Sequence, residues 1–143
     1  MKAFCLWSLL AVAGMTSTQS ALGACASTSG NSCWMFVNEL SAPASVRCED
    51  NRNYLNSMSW KINPRDRVYH QFYSGWGDGM GFPEPGIKVQ CRVVTPNGPS
   101  GSFDFTTLFW GDNVAIEIGR MGIRVKQTAT WSPFESRSNT VSW

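Results

Sequence analysis

The chain has 143 residues, 43% of them hydrophobic and only 15% charged, with 12 Lys and Arg against 10 Asp and Glu. A net charge of +2 gives no field for gathering nucleic acid and little pull toward anionic lipid. The length suits one domain with one core.

The first residues predict an export signal. Met1 and Lys2 are followed by an apolar run at residues 3–14 (AFCLWSLLAVAG) and a polar stretch at 15–23 ending in small residues. Ala21 and Gly23 fit the small-residue cleavage rule, which places the start of the secreted protein near Ala24. The run is too short for a membrane span, which needs about 20 residues to cross roughly 30 Å of hydrocarbon. The expected organisation is a signal peptide over 1–23, one domain over 24–130 and a polar, loosely held tail over 131–143 (WSPFESRSNTVSW).

Four cysteines follow the signal: Cys25, Cys33, Cys48 and Cys91. An even count in an oxidising compartment predicts two disulfides, for which three pairings exist. Cys25 and Cys33 are close together in a Ser/Thr/Gly/Asn segment, whereas Cys48 and Cys91 each sit in an alternating apolar stretch. The expected pairs are therefore Cys25–Cys33 and Cys48–Cys91. The spacings are not those of a zinc site, and His70 is the only histidine.

The periodicity along the domain is two rather than 3.6. Residues 33–38 (CWMFVN), 45–48 (SVRC), 58–62 (MSWKI) and 68–73 (VYHQFY) read as strands. In the second half Ile87, Val89, Cys91 and Val93 alternate with Lys88, Gln90 and Arg92. Phe103, Phe105, Thr107 and Phe109 form another two-step row; Val114, Ile116 and Ile118, then Ile123 and Val125, form two more. Asn97-Gly98-Pro99, Gly111-Asp112-Asn113 and residues 119–122 supply turns between them. The predicted fold is an all-β, disulfide-stabilised antiparallel sandwich of about eight short strands.

Trp-Gly-Asp occurs twice, at Trp76–Asp78 and Trp110–Asp112. Gly and Asp are turn formers, and the sequences beyond the two triplets differ, which favours two similar turns over a duplicated site. Around them lies an aromatic set, Tyr73, Trp76, Phe82 and Trp110, in or beside glycine-rich loops. The loop over 74–86 is too glycine-rich to bury much, so these rings, with Asp78 and Asp112, are the candidate binding surface.

Little supports catalysis. His70 has Asp66 and Ser74 near it in sequence, but a triad is recognised by geometry and a lone strand histidine is more often a surface or interface residue; no nucleophile elbow or phosphate loop is present. Asp78, Glu84, Asp104 and Asp112 are too scattered to promise the six to eight oxygens of a calcium site. No cofactor, metal or enzymatic activity is expected.

The order of features resembles the plant self-incompatibility protein family. Residues 37–40 (VNEL) match its Asn-x-Leu strand end, and 46–50 (VRCED) match a strand ending in Cys and acids. A Pro-bearing turn and aromatic strand follow at 60–73, then Trp76-Gly77, the second core cysteine in 89–93 (VQCRV), a Phe-Asp strand at 102–105 and GIRV at 122–125. The interval from Trp76 to Cys91 is longer than usual, the later cysteines of the family are missing, and Cys25 and Cys33 are additional. The resemblance implies a β-sandwich with Cys48 bridged to Cys91. It also implies a secreted ligand or signalling protein whose recognition loops would lie at 74–86 and 95–102.

The leading expectation is therefore an extracellular ligand, effector or recognition protein whose partner is another protein or receptor. Two alternatives differ in partner: a lipid-binding or pore-forming protein of aegerolysin or actinoporin type, and a carbohydrate-binding module using Trp76 and Trp110 as platforms.

Overall fold

The computed structural model describes residues 31–73, 86–107, 113–128 and 136–143. Among them are nine strands: β1 (Asn31–Asn38), β2 (Ala44–Asp50), β3 (Met58–Ile62), β4 (Arg67–Tyr73), β5 (Lys88–Val94), β6 (Ser100–Thr106), β7 (Asn113–Gly119), β8 (Gly122–Thr128) and β9 (Ser136–Ser142). They form a five-stranded sheet, β4-β1-β7-β8-β9, facing a four-stranded sheet, β3-β2-β5-β6. The protein is an all-β sandwich, as its alternation predicts.

The two-residue period does the folding work. β5 buries Val89, Cys91 and Val93 and exposes Lys88, Gln90, Arg92 and Val94. β7 buries Val114, Ile116 and Ile118, and β8 buries Ile123 and Val125. A slip of one residue in any of these strands would turn its apolar set to water, so the register is strongly fixed. At the centre, Trp34 packs against Phe72 and Phe105 with ring centroids 4.7 and 5.1 Å away, and Phe36 stacks on Trp60 at 4.5 Å.

Cys48 and Cys91 lie directly opposite each other on β2 and β5, fully buried, and are disulfide-bonded. The bridge joins two neighbouring strands of one sheet. Cys33 is also disulfide-bonded; its expected partner, Cys25, lies outside the described residues.

Two features depart from the expected pattern. β1 pairs with β7 in parallel, while the other pairs are antiparallel. The chain changes sheet after β1, β3, β4 and β6, so strands distant in sequence become neighbours. The stretch expected to be a loose tail contains β9, which pairs with β8 along its whole length. β9 is an edge strand exposed on both faces except at Val141. A strand with no buried face leaves no apolar alternation to read.

Asn38 joins the turns at one end of the sandwich. Its side chain is fully buried. The amide donates to the carbonyls of Ala42 (2.8 Å), Ile62 (3.3 Å) and Asn63 (3.1 Å), and its oxygen accepts from the Leu40 N–H (3.0 Å). The Asn of VNEL is thus a clamp between the β1–β2 and β3–β4 connections.

Candidate functional site

The register assigns every connection to one of two ends. Asn31 is opposite Tyr73, Cys33 opposite Asn113, and Asn113 opposite Thr128. In the other sheet Asp50 is opposite Val89 and Lys88 opposite Thr106. The β2–β3, β4–β5, β6–β7 and β8–β9 connections therefore all leave the sandwich at one end. The two Trp-Gly-Asp triplets, far apart in sequence, belong to connections rooted side by side.

Those roots are bonded to each other. Gly86 N–H donates to the Thr107 carbonyl (2.8 Å), and Thr107 N–H donates to the Ile87 carbonyl (2.9 Å). Ile87 N–H donates to the buried Thr107 hydroxyl (2.9 Å). Gly86 has a φ of 79°, a left-handed conformation that glycine adopts without a Cβ penalty. The return of one connection is thereby fixed to the departure of the other. Trp76, Asp78, Phe82, Trp110 and Asp112 lie outside the described residues, as does the side chain of Tyr73, whose backbone ends β4.

The β2–β3 connection at the same end is built by Asp50. Its carboxylate accepts from the backbone N–H groups of Arg52 (2.8 Å), Tyr54 (3.1 Å) and Leu55 (2.6 Å). Leu55 is drawn into the core, while Tyr54 stays 36% exposed. Asn53, Asn56 and Ser57 have positive φ, so this loop is tightly wound. Tyr54 is an exposed aromatic at this end that sequence reading missed. Its only signal was position, an aromatic in a polar run straight after the CED acids.

His70 does not stand free on a strand face. Its ring meets Phe72 at 4.4 Å and Trp60 at 5.5 Å, both edge-on, and burial lowers its pKa from the ordinary 6.5. It packs as part of the aromatic cluster at the β3–β4 edge. Of the scattered acids, Asp104 lies on the outer face of β6 and pairs with Lys88 at 3.8 Å; Asp78, Glu84 and Asp112 lie outside the described residues. No group of three or more His, Cys, Asp or Glu among the described residues is placed to hold a metal. No described helix is long and apolar enough to cross a membrane.

The opposite end is shaped differently. Glu39, Arg65, Arg120 and the 86%-exposed Met121 border a cleft of ≈ 600 Å³. The residues of 95–99, a family-implied recognition stretch, lie at this end, where the Thr95 hydroxyl donates to the Pro99 carbonyl at 2.6 Å. The two stretches implied by the resemblance are therefore rooted at opposite ends of the sandwich.

No family model matches the chain, and neither does any curated protein or solved structure.

Proposed function

We propose that this chain is a secreted recognition protein, a divergent relative of the self-incompatibility proteins, that engages an extracellular protein through the connections bearing Trp76 and Trp110. The observation that carries this reading is the bonded root at Gly86, Ile87 and Thr107. It roots the two connections side by side at one end of the sandwich, which supports this reading because binding loops commonly stand on such a scaffold. Tyr54 adds an exposed ring at that end. The buried disulfide between Cys48 and Cys91 suits an oxidising compartment. Binding rather than catalysis is favoured because His70 is packed between aromatic rings, with its charged form disfavoured.

The test uses the protein from Ala24 onward, fluorescently labelled, on intact cells of its source. The reading expects saturable binding that protease treatment of the cells abolishes and that Trp76→Ala or Trp110→Ala weakens. Binding that survives proteolysis and is matched by phosphatidylcholine vesicles, with a blue shift of tryptophan emission, would replace this reading with the lipid-binding one.

A further inference from the structure

We propose that the outer face of the four-stranded sheet binds an acidic polysaccharide across the row Ser59–Arg47–Arg92–Ser102. The register sets Arg47 opposite Ser59 on β3 and opposite Arg92 on β5, and sets Arg92 opposite Ser102 on β6. All four side chains are exposed. The row crosses the whole sheet, a span of about 14 Å for three inter-strand gaps.

Two arginines directly opposite each other are unfavourable. Side chains so placed have Cβ atoms about 5 Å apart, where like charges repel. The pair cannot slip apart, because the buried faces of β2 and β5 are locked by Val46 opposite Val93 and by the Cys48–Cys91 bridge. Neither position needs a cation for folding, since any polar residue would serve an outward site. Compensation within the protein is slight. Arg47 approaches Glu49 of its own strand at 3.5 Å, with both side chains more than 60% exposed, and Arg92 has no ion pair among the described residues. An oxyanion between the two guanidiniums would relieve the repulsion, and their planar forks suit carboxylate or sulfate oxygens.

The adjacent row selects the class of ligand. Glu49, Gln90 and Asp104 are aligned across β2, β5 and β6, about 7 Å along the strands from the arginines. The groove over both rows measures ≈ 700 Å³. A uniformly anionic polymer would meet Glu49 and Asp104 unfavourably. A chain with carboxylates set among hydroxyls would not, because hydroxyls donate to these carboxylates and exchange bonds with Gln90. The side chains facing outward from these two rows are polar, and the exposed Val94 of the next row stands between Ser45 and Ser100, so a peptide would lack the large aromatic or apolar anchor on which protein interfaces rely. This site stands apart from the loop end and does not depend on its reading.

The experiment is a titration of the protein from Ala24 onward with polygalacturonate oligomers, with dextran and polyglutamate as comparisons, at two salt concentrations. Binding to polygalacturonate is expected, weakened by salt. It should fall at least tenfold in Arg92→Gln and in Arg47→Gln, since each loses its charge-assisted bonds to the carboxylate. It should be unchanged in Arg137→Gln on β9. Both sheet variants should melt no lower than the parent, so that lost binding is not lost folding. The proposal is overturned if polygalacturonate does not bind, if Arg92→Gln binds it as well as the parent, or if polyglutamate or dextran binds equally tightly.

Discussion

Asn38→Ala tests how the sandwich end is held. The substitution removes from a fully buried side chain one accepted bond and two N–H donors shared among three carbonyls. At about 1 kcal/mol net for each of these three bonding groups the loss would reach about 3 kcal/mol. The contacts to Ala42, Asn63 and Leu40 are only partly buried, so water recovers some of them and about 2–3 kcal/mol is expected. That is a large share of the roughly 5–15 kcal/mol that holds such a domain together. Urea unfolding should show a lower midpoint with unchanged slope. Asn38→Asp sharpens the test because it preserves shape and keeps the acceptor for Leu40 N–H. At neutral pH its carboxylate would face the carbonyls of Ala42, Ile62 and Asn63 and destabilise more than alanine does. Those carbonyls and burial would raise the folded-state pKa above the ordinary carboxyl value of about 3.9. The folded state would then bind the proton more readily than the unfolded one, so this variant should recover stability as the pH falls. The clamp assignment fails if Asn38→Ala lies within about 1 kcal/mol of the parent, or if Asn38→Asp matches the parent at pH 7.

Cys48→Ser opens a loop closed over a sequence separation of 43 and should cost on the order of 2–5 kcal/mol in chemical denaturation. Gly122→Ala should cost about 3 kcal/mol. Gly122 has a φ of 150°, and a Cβ there would run into the Val141 carbonyl and come within 2.9 Å of the Ser142 Cα; faster amide exchange along β9 would locate the damage. Burial lowers the His70 pKa below 6.5. The unfolded state therefore takes up a proton that the folded state resists, and stability is lost as the pH falls through 6.5 toward the folded value. His70→Phe should flatten the melting temperature between about pH 7.5 and 5.5, whereas an unchanged slope would place its origin elsewhere.

Most strands were legible because each hides one face. Val89, Cys91 and Val93 against Lys88, Gln90 and Arg92 leave only one way to lie in a half-buried sheet. The same alternation placed Cys48 and Cys91 on core faces. Pairing partners were not legible: β1 and β7 carry similar apolar rows, and nothing local states that they run parallel. β9 was missed because SRSNTVS has no apolar face to reveal it. The candidate loops were visible as aromatic, glycine-rich segments, but their common root depends on Thr107, whose bonds to Gly86 and Ile87 form only in the folded sandwich. The Arg47–Arg92 pair was hidden for a like reason, since two arginines 45 positions apart meet only through strand register.

The central claim is that a rigid sandwich carries a separable recognition element between Tyr73 and Gly86. It is tested most directly by replacing residues 74–85 with a Gly/Ser linker of equal length, then measuring melting temperature and binding to source cells together. The account predicts a melting temperature within a few degrees of the parent and loss of protease-sensitive cell binding. Full binding by the linker variant would contradict it.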